Sequence, residues 1–195
     1  MRIAHLFLAL GLAALLSCTP AEERPEPADA ARPGGAEVDA VLRMLAERDF
    51  AALAGWVGEE GLLLSPYLTI EPDHLRLSRD EVARCASDGR VRVWGVWDGR
   101  GDPIRMTCAA YVARLVWVAD FRSVKDTVFN RPLTGGVDRD NHREIFPEAV
   151  IAWRYRPEGR DAEGSYRPWQ SLHLVFVRRG AAWRLAAIVR GTRTI

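Results

Sequence analysis

No apolar run in this 195-residue chain is long enough to cross a bilayer. The best candidate, Ile3 to Leu16, has 14 residues, against the roughly 20 that a spanning helix needs. Net charge is also nearly absent. The 27 Lys+Arg residues against 26 Asp+Glu leave +1, which gives no electrostatic footprint for nucleic acid. Lysine is reduced to Lys125, so arginine carries the positive charge. The motifs of common chemistries are missing too: there is no G-x-S-x-G, no H-E-x-x-H and no glycine-rich phosphate loop. The four histidines are dispersed, so no metal site and no cofactor is implied. An enzyme survives these absences only through acid/base pairs that meet in space. What the chain does have is 48% apolar residues and seven tryptophans, enough for one domain with a real core and a large aromatic payload.

Residues 1–17 read as a signal peptide: Arg2 is a minimal basic start, followed by the short apolar run. The run closes on Leu15-Leu16-Ser17-Cys18, which resembles the lipobox of bacterial lipoproteins. That resemblance implies lipidation of Cys18 (palmitate among the acyl chains), which becomes the first mature residue. The partner so implied is a membrane. The alternative is an ordinary signal peptide with an incidental cysteine. Each buried acyl CH₂ adds about 0.8 kcal/mol, so several chains hold lastingly. Thr19 stands where an inner-membrane lipoprotein would carry aspartate, which points to the periplasmic side of an outer membrane in a cell with two membranes. Residues 18–36 then form a tether, with Pro20, Pro25, Pro27 and Pro33 before Gly34-Gly35. Extended at about 3.1 Å per residue, it reaches about 55 Å.

The folded domain is assigned to residues 37–195. Val38, Val41, Leu42 and Leu45 recur at helical spacing. Asp49 caps a second helix carrying Phe50, Leu53, Trp56 and Val57. Leu62 to Ile70 reads as a strand whose Pro66 places it at an edge or a bulge. Ser78 and Glu81 form a capping box. Val91 to Trp97 alternates as a strand, with Val91, Val93, Gly95 and Trp97 on one side. Thr107 caps a helix running to about Trp117. Residues 118–147 have no clean period, although part of 120–128 suits a helix. Ala149–Tyr155, Trp169–Val177 and Trp183–Val189 are β-rich, and Arg178-Arg179-Gly180 turns the last two into a hairpin. The alternating sets Ile151/Trp153/Tyr155, Leu172/Leu174/Phe176 and Trp183/Leu185/Ala187/Val189 are expected to meet the N-terminal helices. The fold class is therefore α+β, helices on a curved, mainly antiparallel sheet.

Leu64-Ser65-Pro66-Tyr67, Trp94-Gly95 with Asp98-Gly99 and Pro103-Ile104, Trp169-Gln170-Ser171-Leu172 with Leu174-Val175-Phe176, and Thr194-Ile195 resemble segments of a group of uncharacterised bacterial lipoproteins. The likeness spans about residues 55–195 and implies no activity. Element order is similar to the NTF2-like cone fold, whose members include isomerases, dehydratases and binding modules, so fold analogy brings no chemistry. No site residue is carried over, because acidic or aromatic residues stand in that group where Cys108 and Ala110 occur here.

Candidate sites are few. Cys85 and Cys108 either pair in an oxidising compartment or stay as two buried thiols. Asp138, Asp140, His142 and Glu144 alternate like a metal loop. A calcium hand, however, needs glycine and glutamate where Arg143 and Ala149 stand, so a solvated loop is the reading. If the sheet curves around a cavity, Tyr67, Tyr111, Asp120, Trp169 and His173 are the candidate lining. His173 lies on the face opposite Leu172 and Leu174. Three functions follow as expectations: an envelope lipoprotein whose domain binds an envelope protein or a small ligand, a hydrolase or isomerase working in an NTF2-like pocket, or a purely structural role on the membrane surface.

Overall fold

The structure, a computed structural model, describes residues 33–124, 127–131 and 140–192. Cys18, the apolar run, most of the tether, Asp138 and Thr194-Ile195 lie outside the described residues. In chain order the elements are α1 (Gly35–Glu47), α2 (Phe50–Ala54), β1 (Leu62–Ser65), β2 (Arg76–Leu77), α3 (Arg79–Ala83), β3 (Arg92–Val96), β4 (Pro103–Met106), α4 (Cys108–Tyr111), β5 (Val128–Phe129), α5 (His142–Ile145), β6 (Val150–Arg156), β7 (Gly159–Arg160), β8 (Tyr166–Arg167), β9 (Gln170–Arg179) and β10 (Ala182–Thr192). Helices pack on a mixed, mainly antiparallel sheet of six strands in the order β2-β1-β10-β9-β6-β5. The fold is α+β.

Local signals place most of the helices. Val38, Val41, Leu42 and Leu45 form the buried stripe of α1, which starts at Gly35, so the last residues assigned to the tether belong to the domain. Asp49 accepts from the Ala52 N–H. Ser78 and Glu81 close the capping box of α3. Thr107 accepts from the Ala110 N–H, and α4 runs on into a π turn over Val112–Val116, closed by Trp117 N–H to Val112 O at 2.7 Å.

β1 departs from expectation. It stops at Ser65, because Pro66 lacks the N–H a ladder needs. It is also an interior strand, parallel to β10 and antiparallel to β2. Pro66 sits just past the end, so it carries no information about which strand is the edge. On β3, Val93 and Val96 are exposed while Trp94 and Gly95 are buried, because a register shift between Val93 and Val96 breaks the expected alternation.

The sheet has two covered faces. Leu62, Leu64, Ala152, Leu172, Leu174, Phe176, Leu185 and Ile188 meet the helices. Leu63, Ile151, Trp153, Val175, Val177, Ala187 and Val189 form a second apolar layer with Ile70 and Ala149. Loops cover that layer: Asn141 clasps both backbone groups of Ile70, at 2.8 and 2.9 Å. Leu68 lies so close over β10 that a Cβ at Gly191 would stand 2.9 Å from its Cδ2 and 2.3 Å from Ser171 Oγ. The expectation that Ile151, Trp153, Ala187 and Val189 face the helices is thus corrected. On β6 both alternations are apolar, and pairing with β9 (Ala152 opposite Leu174, Trp153 opposite His173) decides that Ala152 is inward. Residues directly opposite share a face. On β10 a bulge between Leu185 and Ala187 inserts one residue and reverses the alternation after it.

Cys85, just past α3, is joined to Cys108, the first residue of α4, across a sequence separation of 23. Closing such a loop restricts the unfolded chain by about 3 kcal/mol. Reduction is expected to lower Tm by roughly 6–12 °C for a domain of this size, measured by scanning calorimetry with and without reductant. An unchanged Tm would rule out a stabilising role for the bridge.

Candidate functional site

The five residues proposed as one lining do not come together. Asp120 is on the surface, capping a short 3₁₀ turn over Phe121–Ser123 and paired with Arg122 at 2.8 Å; that pairing and its hydrogen bonds hold its carboxyl below the usual range. Trp169 and His173 belong to the second face. There the Trp169 ring lies 6.1 Å from that of Tyr155, and His173 is 0% exposed. Tyr67 and Tyr111 go to the helix side.

The second face carries the histidines. His173 packs on Trp153, with ring centres 3.6 Å apart, and stands edge-on to His142 at 5.2 Å. Its Nε2 is 2.8 Å from Ser171 Oγ. A similar pair, Ser65 Oγ and His74 Nδ1, lies at 2.9 Å. A hydroxyl within hydrogen-bond reach of an imidazole is the first requirement of a serine nucleophile. The surroundings refuse the chemistry. Ser171 and His173 are both 0% exposed, and His173 Nδ1 has no partner among the described residues, so no third group orients the ring. Burial pushes both His173 and His142 below their ordinary range, keeping them neutral. His142, from the suspected metal loop, turns inward with its Nδ1 3.6 Å from Asp140, whereas Glu144 is exposed. These are core groups.

The helix side holds a different arrangement. Arg190 stands directly across the ladder from Leu172, so its side chain leaves the face that carries the helix-side core. There β10 packs against the Val112–Val116 turn. Arg190 is half-buried, and its Nε is sealed from solvent with no hydrogen-bond partner among the described residues. Burial pulls its pKa down. The groups that oppose this are the phenols of Tyr67 and Tyr111, with no carboxylate among them. By contrast Arg154, one strand over from Leu172 on the same face, is tied to Asp39 and to the Val124 carbonyl.

Tyr111 is 0% exposed and stacked on Trp94 at 4.1 Å. Its hydroxyl lacks a partner among the described residues, and burial pushes its pKa up. The Tyr67 hydroxyl accepts from the Asp98 N–H at 2.8 Å, leaving its own proton to give. Gln170, diagonal to Arg190 across the ladder, has an Oε1 that is likewise without a partner. Buried polar groups are nearly always satisfied. Three such groups lie on the helix side of the sheet, one of them charged, and two of them, Arg190 and Gln170, are diagonal neighbours on adjacent strands.

No protein-family model matches the chain, and no curated protein does. Comparison therefore leaves the site to its geometry.

Sequence reasoning singles out neither Gln170, which already shares the face of Leu172 and Leu174, nor Arg190, and for Arg190 the reason is physical. With Trp183, Leu185, Ala187 and Val189 taken as the inward set, Arg190 falls on the outward set, where an arginine is unremarkable. The bulge at Leu185–Ala187 turns it inward, and nothing in Leu185-Ala186-Ala187 announces a bulge.

Proposed function

We propose that this protein is a lipid-anchored envelope module that binds a small ligand through an anionic group placed at Arg190. The observation that carries the binding half is the half-buried Arg190 guanidinium, whose Nε has no hydrogen-bond partner and which has no carboxylate partner among the described residues. An unneutralised buried charge is costly, and a domain keeps one where a ligand completes it. The anchoring half is supported by the Leu15–Cys18 segment and by the Cys85–Cys108 bridge, which suits an oxidising compartment. Among the described residues no helix is long and apolar enough to cross a membrane. The alternative, a hydrolase or isomerase on an NTF2-like scaffold, has the Ser171–His173 contact in its favour and that pair's complete burial against it.

Two measurements test the proposal. Intact mass of the protein recovered from cells is expected to show a chain beginning at Cys18 with fatty acid attached; a processed, unacylated chain removes the anchor. Thermal-shift screening of the purified lipoprotein in detergent against carboxylates, phosphates and sulfates is expected to raise Tm in at least one class. A flat response in all three removes the binding role.

A further inference from the structure

We infer that the arginine-lined surface where β2 and α3 meet the β9–β10 hairpin docks an extended acidic peptide of a partner protein. Two open grooves make up this surface, with volumes of about 390 and 310 Å³. The first lies between β2 and β3 and carries Arg76, Arg90 and Arg92; the second carries Arg79, Arg179 and Arg184. They abut at Arg76, whose Nη1 stands 3.4 Å from the carbonyls of both Glu60 and Gly61, and Glu60 lines the second groove. Neither groove is lined by Arg190.

Ion pairs divide these arginines into two sets. Arg90 and Arg92 share Glu81 and Asp88 at 2.8–3.7 Å, and Arg179 holds Glu60 at 2.7 Å, so three cations meet three carboxylates. Arg76, Arg79 and Arg184 have no carboxylate within ion-pair reach among the described residues. Each is hydrogen-bonded only to backbone carbonyls: Arg76 as above, Arg79 to Val57 at 2.7 Å and Arg184 to Gly55 at 3.3 Å. A carbonyl fixes the direction of a guanidinium without cancelling its charge, and further N–H donors stay open in the planar fork that suits a carboxylate. Arg76 and Arg79 are exposed and Arg184 is half-buried, so a partner can reach all three.

The other groups on the surface select that partner. Glu59 also lines the second groove, which leaves an excess of two positive charges here in a chain whose net charge is +1. A polyphosphate or nucleic acid, charged at every unit, would set anions against Glu59 and Glu60. A peptide can space its carboxylates and place neutral residues there. Leu75 and Val93, the latter 38% exposed, line the first groove and offer carbon to an apolar side chain beside an acidic one. The backbone agrees. Leu64 N–H donates to Leu75 O at 2.9 Å, so the alternation of an antiparallel ladder turns the N–H and C=O of Arg76 away from β1. That side is the open edge of the six-stranded sheet, where an extended chain can bond.

Fluorescence anisotropy tests this with the full chain as recovered from cells, in detergent. The probes are a labelled short peptide alternating glutamate with valine, its glutamine counterpart, and inorganic polyphosphate as competitor. The glutamate peptide is expected to bind, more weakly as salt rises; the glutamine peptide is expected to bind roughly tenfold more weakly, and polyphosphate to compete poorly. Arg76→Gln and Arg184→Gln are each expected to lower affinity about fivefold while the ligand-free Tm barely moves. Arg43→Gln, the same charge change on the exposed side of α1, is expected to leave affinity unchanged. Equal affinity for the two peptides, a loss in Arg43→Gln equal to that in Arg76→Gln, or full affinity in the Arg76→Gln/Arg184→Gln double variant overturns the assignment of this surface. Polyphosphate binding tighter than the glutamate peptide overturns the peptide as its partner. A glutamate peptide that fails to bind at low salt overturns the docking role.

Discussion

Trp94→Ala is expected to cost the domain about 3–5 kcal/mol, the range for emptying a large aromatic site in a packed interior. Trp94 is 0% exposed, although its strand neighbours Val93 and Val96 face solvent. Its ring stacks on Tyr111 with planes 19° apart, and its Nε1 donates to the Met106 carbonyl at 2.9 Å. Truncation therefore leaves a cavity, strands an acceptor and removes the wall behind Tyr111. Relaxation is limited because the Cys85–Cys108 bridge pins α4 nearby. Urea denaturation of wild type and variant measures the loss; a change below about 1 kcal/mol would mean the hairpin of β3 and β4 is not part of the cooperative core. Trp94→Phe keeps the ring and is expected to recover most of the stability while still lacking the Met106 bond.

Acid is expected to destabilise the domain on the order of 4 kcal/mol between pH 7 and pH 5. His74, His142 and His173 are buried, and burial holds each below its ordinary value near 6.5. Facing groups only partly oppose this: Asp73 and Glu71 act on His74, and Asp140 acts on His142 against Arg143. His173 sees His142, whose charge would lower it further. In the unfolded chain all three titrate near 6.5. Above that pH neither state binds the protons and the slope is zero. Below it the unfolded state binds more, so stability falls as pH falls, by up to about 1.4 kcal/mol per pH unit for each histidine until its folded pKa is reached. The carboxylates Glu60, Asp88, Asp120 and Asp161, none of them fully buried, are held below their usual range by their hydrogen bonds and arginine partners. They stay ionised in this window and add nothing until lower pH. Chemical denaturation at half-unit steps from pH 7.5 to 5.0 gives the slope directly; a level profile would show that the histidine layer opens to water.

That layer also shows where sequence and structure part. The helices were legible because their signals are local: the stripe of Val38, Val41, Leu42 and Leu45, the Asp49 cap, the Ser78–Glu81 box and the Thr107 cap each lie within a few turns of chain. The three long strands and the tight turn at Arg178–Gly180 were legible for the same reason. Which face of β6 points at the helices was not, since Ile151/Trp153 and Val150/Ala152 are both apolar and only the ladder with β9 distinguishes them. His173 was placed opposite Leu172 and Leu174 correctly, but whether that face met cavity or solvent depended on loops 70 and more residues apart in sequence, joined where Asn141 clasps Ile70.

By itself the sequence determined an α+β chain whose caps and hydrophobic periods specify its helices and its C-terminal hairpin, because those preferences act between residues close along the backbone. Only the tertiary structure decided that Ser171 and His173 are sealed inside and that Arg190 is turned to the helix side, where Tyr67 and Tyr111 also pack. Both outcomes hang on long-range register. One extra residue at the β10 bulge exchanges the two sides of a strand, and a period-two pattern carries no record of such a step.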